Sequence, residues 1–250
     1  MKEELFEKRL LDLANQSFTQ GRYTFSNFLD LYEQSVFTSL KKKMKGIASE
    51  MFGGYEGAER RMVRFGSPEE LGYEEDYPMM LLHIIPLGGK FSEKLNHRDY
   101  LGALMNLGIE RNLIGDILVM EQEAYVFTKD TIGPFLMREW GKVRHTMISV
   151  EEVPLKDFQY EPKYEELKGF VPSFRADVMV GFFCKMSRNE SSSLIKGQKV
   201  FVNSQLIVSN SYMLKEGDIL SVRGFGKAIF TEISGQSKKG RHHVILKKYV

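Results

Sequence analysis

The 250-residue sequence is poor in cysteine and has no long apolar run. Its single cysteine, Cys184, excludes an intrachain disulfide, and sparse cysteine is typical of the reducing cytoplasm. The longest apolar stretches, such as 79–82 and 178–183, are far shorter than the roughly 20 residues of a membrane-spanning helix. The charged start, Met1-Lys2-Glu3-Glu4, lacks the apolar core of a signal peptide. We therefore expect a cytoplasmic protein with no membrane partner.

Metal and nucleotide signatures are missing as well. The five histidines stand apart except for His242-His243, and none has the Cys/His spacing of a zinc site. A glycine-rich stretch at 53–57 lacks the Lys-Ser/Thr pair and the long helix that follow a phosphate-binding loop. The sequence thus predicts no metal and no cofactor.

Two short stretches are similar to enzyme motifs but depart from them. His97-Arg98-Asp99 is similar to a kinase catalytic loop, but the next asparagine follows the aspartate by seven residues instead of five. Lys185-Met186-Ser187-Arg188 is similar to the KMSKS loop of class I aminoacyl-tRNA synthetases, but no HIGH-like motif precedes it. We therefore predict that the protein is not an enzyme.

The near-neutral net charge of +2 hides a strong segregation of charge. Residues 170–250 contain 13 Lys and Arg against 5 Asp and Glu, a net charge of +8. The preceding residues contain 22 basic against 28 acidic side chains, a net charge of −6. A basic segment of this kind is the electrostatic signature of a polyanion-binding module.

The N-terminal domain is predicted at 1–78 and is rich in helix. Apolar residues recur at helical spacing over 6–18, and an Asp30-x-x-Glu33 capping box precedes a second helix. Strands are expected at 47–52 and 62–65, on either side of the glycine-rich stretch.

The central domain is predicted at 79–152, with the element order βαββαβ of ferredoxin-like and RRM-like folds. The first strand is expected at 79–86. Helices are expected at 96–107, capped by Asn96, and at 131–140, capped by Thr128 or Asp130.

Two aromatic residues of the third strand of this domain, Tyr125 and Phe127, occupy the place where an RRM displays its stacking aromatics. The basic-Gly-aromatic pattern that should precede them is absent. We interpret both as packing residues.

A linker is predicted at 153–172, where three prolines stand among Glu and Lys. The C-terminal domain, 173–250, begins with a helix up to Cys184, where the thiol is interpreted as a small buried apolar group. A second helix over 188–195 and several strands follow, ending in a hairpin. The fold class is therefore α+β and multidomain.

The C-terminal residues resemble the S4 RNA-binding domain. The resemblance rests on Ser187-Arg188, Leu194-Ile195-Lys196-Gly197, Val200-x-Val202-Asn203, Gly217-Asp218 and Val222-Arg223-Gly224. It implies an αα-strand domain whose helix pair lays basic side chains on structured RNA. Such side chains contact successive phosphates and recognise the shape of folded RNA.

The candidate RNA-binding residues are the basic and polar side chains of this region. On the S4-like face they are Arg175, Lys185, Ser187, Arg188, Lys196, Lys199, Asn203, Arg223 and Lys227. At the tip of the final hairpin they are Lys238, Lys239 and Arg241. A second candidate RNA contact consists of Arg60, Arg61 and Arg64.

The whole chain resembles the bacterial YlmH family. The resemblance rests on FSNFLDLYEQ, FGGYEGAERRM, LNHRDYLGALMNLGIERNLIGDILV and the segment ending SVRGFGKAIFTEISGQSKKGR. It implies binding of the large ribosomal subunit and of tRNA, including peptidyl-tRNA, in ribosome-associated quality control of stalled nascent chains. Other quality-control factors are candidate partners, and the family's genomic context links it to cell division.

Two other functions compete with a non-catalytic RNA-binding protein. One is an RNA-modifying enzyme of the pseudouridine-synthase type, to which S4 domains are often appended. Those enzymes usually place the S4 module first and have a Gly-Arg-Leu-Asp motif, whereas here the module is last and the motif is absent. The other is a scaffold for cell-division proteins.

Overall fold

The computed structural model shows an α+β protein whose described residues form helices and antiparallel sheets. The part of the chain that it describes comprises residues 2–41, 44, 46–88, 92–237 and 240–250. These residues divide into two compact units, Met1–Tyr160 and Glu161–Val250. None of the helices in the described ranges combines the length and the apolar character that crossing a bilayer requires.

The first unit opens with two helices, α1 (Lys2–Gln20) and α2 (Leu31–Lys41). Leu10 and Ala14, one turn apart on α1, are buried in a cluster with Phe37 of α2. The predicted capping box at the start of α2 is confirmed, because the N–H of Glu33 donates to Asp30 and the N–H of Asp30 donates to Glu33.

A small antiparallel sheet packs beside these helices. Its strands, in the spatial order β1-β3-β2, are β1 (Thr24–Phe25), β2 (Ser49–Phe52) and β3 (Met62–Phe65). Val63 and Phe65 join the cluster of α1 and α2. A short helix, α3 (Pro68–Leu71), follows the sheet.

The glycine-rich connection between β2 and β3 is a packing element. Gly54 has a φ of 97°, and a Cβ there would collide with the ring of Phe127. The carboxylate of Asp116 accepts hydrogen bonds from the Tyr55 hydroxyl at 2.7 Å and from the N–H of Arg60 at 3.0 Å. The glycines therefore allow a turn with positive φ and let this segment pack closely against Phe127.

A five-stranded antiparallel sheet forms the centre of the first unit, in the spatial order β5-β6-β4-β8-β7. Its strands are β4 (Met79–Pro86), β5 (Ile114–Met120), β6 (Glu123–Lys129), β7 (Lys142–Val143) and β8 (Thr146–Val153). Helix α4 (His97–Asn106) connects β4 to β5, and α5 (Gly133–Glu139) connects β6 to β7.

The two helix starts of this part differ from each other. Asn96 caps α4 as predicted, because its side chain accepts from the N–H groups of Arg98 and Asp99. The predicted capping of α5 by Thr128 or Asp130 is wrong. A 3-10 turn, Asp130–Ile132, leads into α5 instead, and no side chain caps it.

Both faces of the central sheet are covered by apolar side chains. On one face, Tyr100 and Leu104 of α4 and Leu136 of α5 pack with strand residues. On the other, Phe127 packs with Phe28, and further N-terminal residues join the same cluster. The predicted domains 1–78 and 79–152 therefore share a core and lie in one unit.

The second unit contains a six-stranded antiparallel sheet with the spatial order β11-β10-β12-β13-β14-β9. Its strands are β9 (Tyr164–Val171), β10 (Val200–Val202), β11 (Gln205–Leu206), β12 (Ile219–Val222), β13 (Gly226–Gln236) and β14 (His242–Tyr249). Helices α6 (Ala176–Cys184) and α7 (Arg188–Lys196) pack on one face.

Strand β9 corrects the predicted linker at 153–172. Its residues pair with β14 from Tyr164↔Tyr249 to Val171↔His242. The three prolines that suggested a linker lie outside this strand, and most of its side chains are exposed because it forms the edge of the sheet. The prolines thus lie on either side of an edge strand, and the charged residues lie within it.

Candidate nucleic-acid interface

The helix pair α6 and α7 positions most of the candidate RNA-binding residues. Lys185 ends α6 in the left-handed conformation, with a φ of 54°. Ser187 caps α7: its hydroxyl accepts from the N–H of Glu190 at 3.3 Å, and the Glu190 carboxylate accepts from the N–H of Ser187 at 2.8 Å. Two well-terminated helices therefore meet at a tight turn.

Small side chains allow the two helices to approach closely. A Cβ at Gly181 of α6 would lie 3.0 Å from the hydroxyl oxygen of Ser191 in α7. Ser191 is fully buried, and its hydroxyl donates to the carbonyl of Ser187. The small Ser191 side chain and Gly181 therefore leave room for a close contact between the two helices.

A buried carboxylate holds two of the candidate arginines in place. Asp177, whose side chain is 3% exposed, accepts from Arg175 at 3.1 and 3.2 Å and from Arg188 at 2.7 Å. Both guanidinium groups remain accessible, with 35% and 64% of the side chain exposed. Asp177 therefore brings the starts of α6 and α7 together and presents two cations beside each other.

The electrostatics of this triad favour the charged carboxylate. Burial by itself would raise the pKa of Asp177, but hydrogen bonds from Arg175 and Arg188 outweigh it and lower the pKa below its ordinary value. The hydrogen bond to Asp177 in turn raises the pKa of Arg175. Asp177 is not among the residues predicted from the sequence, although the Arg-x-Asp spacing at the start of a helix was a usable signal.

A second group of cations lies at the other end of α7. Lys196 is exposed in its last turn, and exposed Lys199 follows, with its N–H bonded to the carbonyl of Leu194. The carbonyl of Lys199 accepts from the N–H of Arg223, so these two residues are neighbours at the ends of β10 and β12. The guanidinium carbon of Arg223 lies 5.3 Å from the centre of the Phe201 ring.

The remaining candidates have more varied surroundings. The side chain of Asn203 bonds Asp218 at 2.8 Å and the N–H of Ile219 at 2.9 Å, so it holds the turn between strands. The ammonium of Lys227 lies 4.4 Å from the centre of the Tyr249 ring. Arg241 is exposed at the start of β14, whereas Lys238 and Lys239 lie outside the described residues.

The second candidate RNA contact is corrected by the structure. Arg60 is buried and donates hydrogen bonds to the carbonyls of Ile114 and Phe28, each at 2.9 Å. Burial lowers its pKa. Its guanidinium group therefore links two chain segments inside the first unit and is not accessible to RNA.

The neighbouring arginines are also engaged internally. The guanidinium of Arg64 lies between Tyr23 and Tyr77, 5.2 Å from each ring centre, and bonds Glu50 at 2.8 Å. Arg61 donates to the carbonyl of Ala58. The three arginines predicted as one RNA contact thus each make separate contacts within the first unit.

The interpretation of the central-sheet aromatics as packing residues is confirmed. Phe127 is 0% exposed and stacks on Tyr55 with 5.3 Å between ring centres. Tyr125 packs against Phe158 and stacks on His83. The sheet face on which an RRM binds RNA is therefore covered in this unit.

Cys184, at the end of α6, behaves as a packing residue. It lies against the apolar core of the second unit, and burial raises the pKa of its thiol to about 12. We expect iodoacetamide at neutral pH to alkylate the folded protein at least about a hundredfold more slowly than the urea-unfolded chain, because little thiolate is present. Equal rates, measured by mass spectrometry, would contradict this.

Comparisons with known proteins agree with one another. Residues 72–157 match a family model described as "Putative RNA-binding domain in YlmH". The chain is 29% identical over 253 residues to the "Ribosome-associated protein quality control protein P2" of Bacillus subtilis (strain 168), with 98% of this chain and 95% of that protein covered. A solved structure, "Cell division protein ylmH from Streptococcus pneumoniae", is 19% identical, with 63% of this chain and 94% of that chain covered. Its TM-score of 0.52 indicates a common fold.

Proposed function

This chain belongs to the YlmH family, and from that premise we propose that it is a non-catalytic, cytoplasmic RNA-binding protein of ribosome-associated quality control. Its targets are structured RNA of the large ribosomal subunit and tRNA, including the peptidyl-tRNA of stalled nascent chains. The name of the Bacillus subtilis relative supports the process, and the description of the family model supports RNA as the ligand.

The proposal assigns S4-like binding to 173–250 and an RRM-like architecture to 79–152. The helix-helix-strand order of α6, α7 and β10 supports the first assignment. The antiparallel order β5-β6-β4-β8, with its two helices on one face, supports the second. Candidate residues on the S4-like part remain those named from the sequence, with Asp177 added as the residue that positions two of them.

One observation carries the proposal: two accessible guanidinium groups are anchored on one buried carboxylate, within a segment of net charge +8. Arginines fixed in this way lose little side-chain freedom when they bind phosphate, and planar guanidinium groups match phosphate oxygens. The exposed cations at the C-terminal end of α7 extend the surface. This arrangement suits the backbone of folded RNA.

Co-sedimentation with purified ribosomal subunits at two salt concentrations tests the proposal. The wild-type protein should pellet with the large subunit, and Arg188→Glu with Lys196→Glu should abolish most of this binding. With about six phosphate contacts, the log-log salt slope should be about −4 to −5, and the double variant should reduce its magnitude by about 1.5.

A matched control keeps the charge change and moves its position. Lys163→Glu with Lys215→Glu alters two exposed lysines of the same unit that lie outside the candidate set, and should bind nearly as the wild type does. If both double variants lost the same amount of binding, the loss would be due to net charge and not to the positions of Arg188 and Lys196. A wild-type protein that stays in the supernatant with ribosomal subunits and does not bind tRNA would contradict the proposed function.

A further inference from the structure

An open groove of about 640 Å³ lies on the helix side of the central sheet. It runs between α4 and the segment that leads from α5 into β8, and its lining includes Arg98, Gly102, Trp140, Lys142 and Arg144. All of these residues belong to the first unit, so the groove is separate from the helix pair α6 and α7.

Two glycines line this groove without a structural reason for being glycine. Gly102 lies in the interior of α4, where glycine destabilises a helix relative to alanine. Neither Gly102 nor Gly141 has a positive φ, and a Cβ at either would meet nothing within 4 Å. Conformation and packing therefore do not require these glycines, and the open space above them lets a ligand come close to the backbone.

The carboxylates of the groove are already paired. Asp99 accepts from the N–H of Asn96 at 3.0 Å and from Arg144 at 3.4 Å. Glu139 bonds Arg138, which projects from the same helix, at 2.7 Å. The acidic groups of the lining are thus balanced by cations beside them.

Two exposed cations of the groove offer donors to a ligand. In the described part of the chain, no carboxylate lies within ion-pair distance of the exposed Arg98 or Lys142 side chains. Trp140 is 2% exposed, and its indole N–H has no hydrogen-bond partner among the described residues. That N–H is itself closed to solvent, so the lining offers a ligand two exposed cations without carboxylate partners in the described ranges, which suits a ligand made of negatively charged groups.

We propose that this groove is a second RNA-binding site, in which Arg98 and Lys142 contact phosphates of a strand that lies over Gly102 and Gly141. The inference rests on the proposed function for the identity of the polyanion, and it locates a contact that the S4-like part does not provide. The covered sheet face favours the helix side, because Phe127 is closed to solvent beneath Tyr55. RNA binding by the first unit then has to use a different surface from that of an RRM.

The sequence supplies a reporter for the groove, since Trp140 is the only tryptophan of the chain. Purified large-subunit ribosomal RNA, added to the full-length protein with excitation at the red edge of the tryptophan absorption, should change Trp140 emission in a saturable and salt-sensitive way. Filter retention of the same samples measures total RNA binding in parallel.

Three variants sharpen the test. Arg98→Glu with Lys142→Glu should abolish the Trp140 response and lower the magnitude of the salt slope of retention by about 1.5. Lys8→Glu with Arg22→Glu, two exposed cations of the same unit outside the groove, should leave the response unchanged. Gly102→Gln fills the groove without changing charge, and should weaken the response while the melting temperature stays the same or rises.

The outcomes separate this inference from the proposed function. Retention of RNA without any change in Trp140 emission, or an unaltered response in both groove variants, would overturn the second site and leave the S4-like surface standing. A response that persists when Arg188→Glu and Lys196→Glu weaken retention supports an independent groove. If the wild type retains no RNA at all, both the groove and the proposed function fail.

Discussion

Replacing Phe127 with alanine lowers the free energy of unfolding of the first unit by about 3 to 5 kcal/mol. The ring is fully buried between Tyr55, at 5.3 Å between ring centres, and Phe158, at 5.6 Å. A Cβ at Gly54 or Gly115 would also collide with its atoms, so the surroundings are packed too tightly to close over the missing ring.

Urea denaturation followed by circular dichroism measures this effect. Phe135→Ala is the matched control, because Phe135 is 36% exposed on α5, and its change should stay within about 1 kcal/mol. At a temperature where the variant remains folded, Phe127→Ala should still bind RNA. A variant that is fully stable but has lost RNA binding would instead identify the sheet face as an RNA platform.

Local sequence signals predicted the elements of this fold well. The starts of α2, α4 and α7 follow side-chain caps at Asp30, Asn96 and Ser187, which are recognised within four residues of chain. Strand β4 matches its predicted bounds because apolar residues fill both of its faces. These features depend on neighbouring residues alone, so a single sequence is sufficient to find them.

Features that depend on distant partners were missed. Strand β9 pairs with β14, whose residues lie more than 70 positions later, and its exposed edge lacks a continuous apolar run. Arg60 was interpreted as a surface cation because nothing in its neighbourhood shows that the carbonyls of Phe28 and Ile114 surround it. Burial of a charged side chain follows from tertiary packing, which local composition does not encode.

The cations of the candidate site were predicted, but the residue that organises them was missed, because its role depends on a partner distant in the sequence. Basic residues were selected from the charge and from the S4 resemblance, and Arg175 and Arg188 do lie side by side. The carboxylate that unites them was overlooked, because Asp177 faces Arg188 only after α6 and α7 have packed. The charge of this surface can be counted in the sequence, whereas the positions of its arginines depend on how α6 and α7 pack together.

Asp177→Asn should reduce both the stability of the second unit and its affinity for RNA. The amide is nearly isosteric with the carboxylate but cannot hold two guanidinium groups, so three charge-assisted hydrogen bonds are weakened. Because both arginines remain partly in water, the expected loss is about 2 kcal/mol of unfolding free energy. RNA affinity should fall although the variant is one unit more positive, which net charge alone cannot explain.

The pH dependence of that difference identifies the carboxylate as its source. The pKa of Asp177 in the folded protein lies below its ordinary value of 3.8, so its contribution is complete above that pH and is lost as the pH falls through the folded pKa. The free energies of unfolding of wild type and Asp177→Asn should thus differ at neutral pH and converge in acid, whereas the control Glu161→Gln, at an exposed site, should match the wild type throughout.

In a double-mutant cycle, Arg188→Ala should cost less RNA affinity in the background of Asp177→Asn than in the wild type, because the arginine is no longer held in place. Additive losses would mean that the two residues act separately, and Asp177 would then be no more than a core residue of α6.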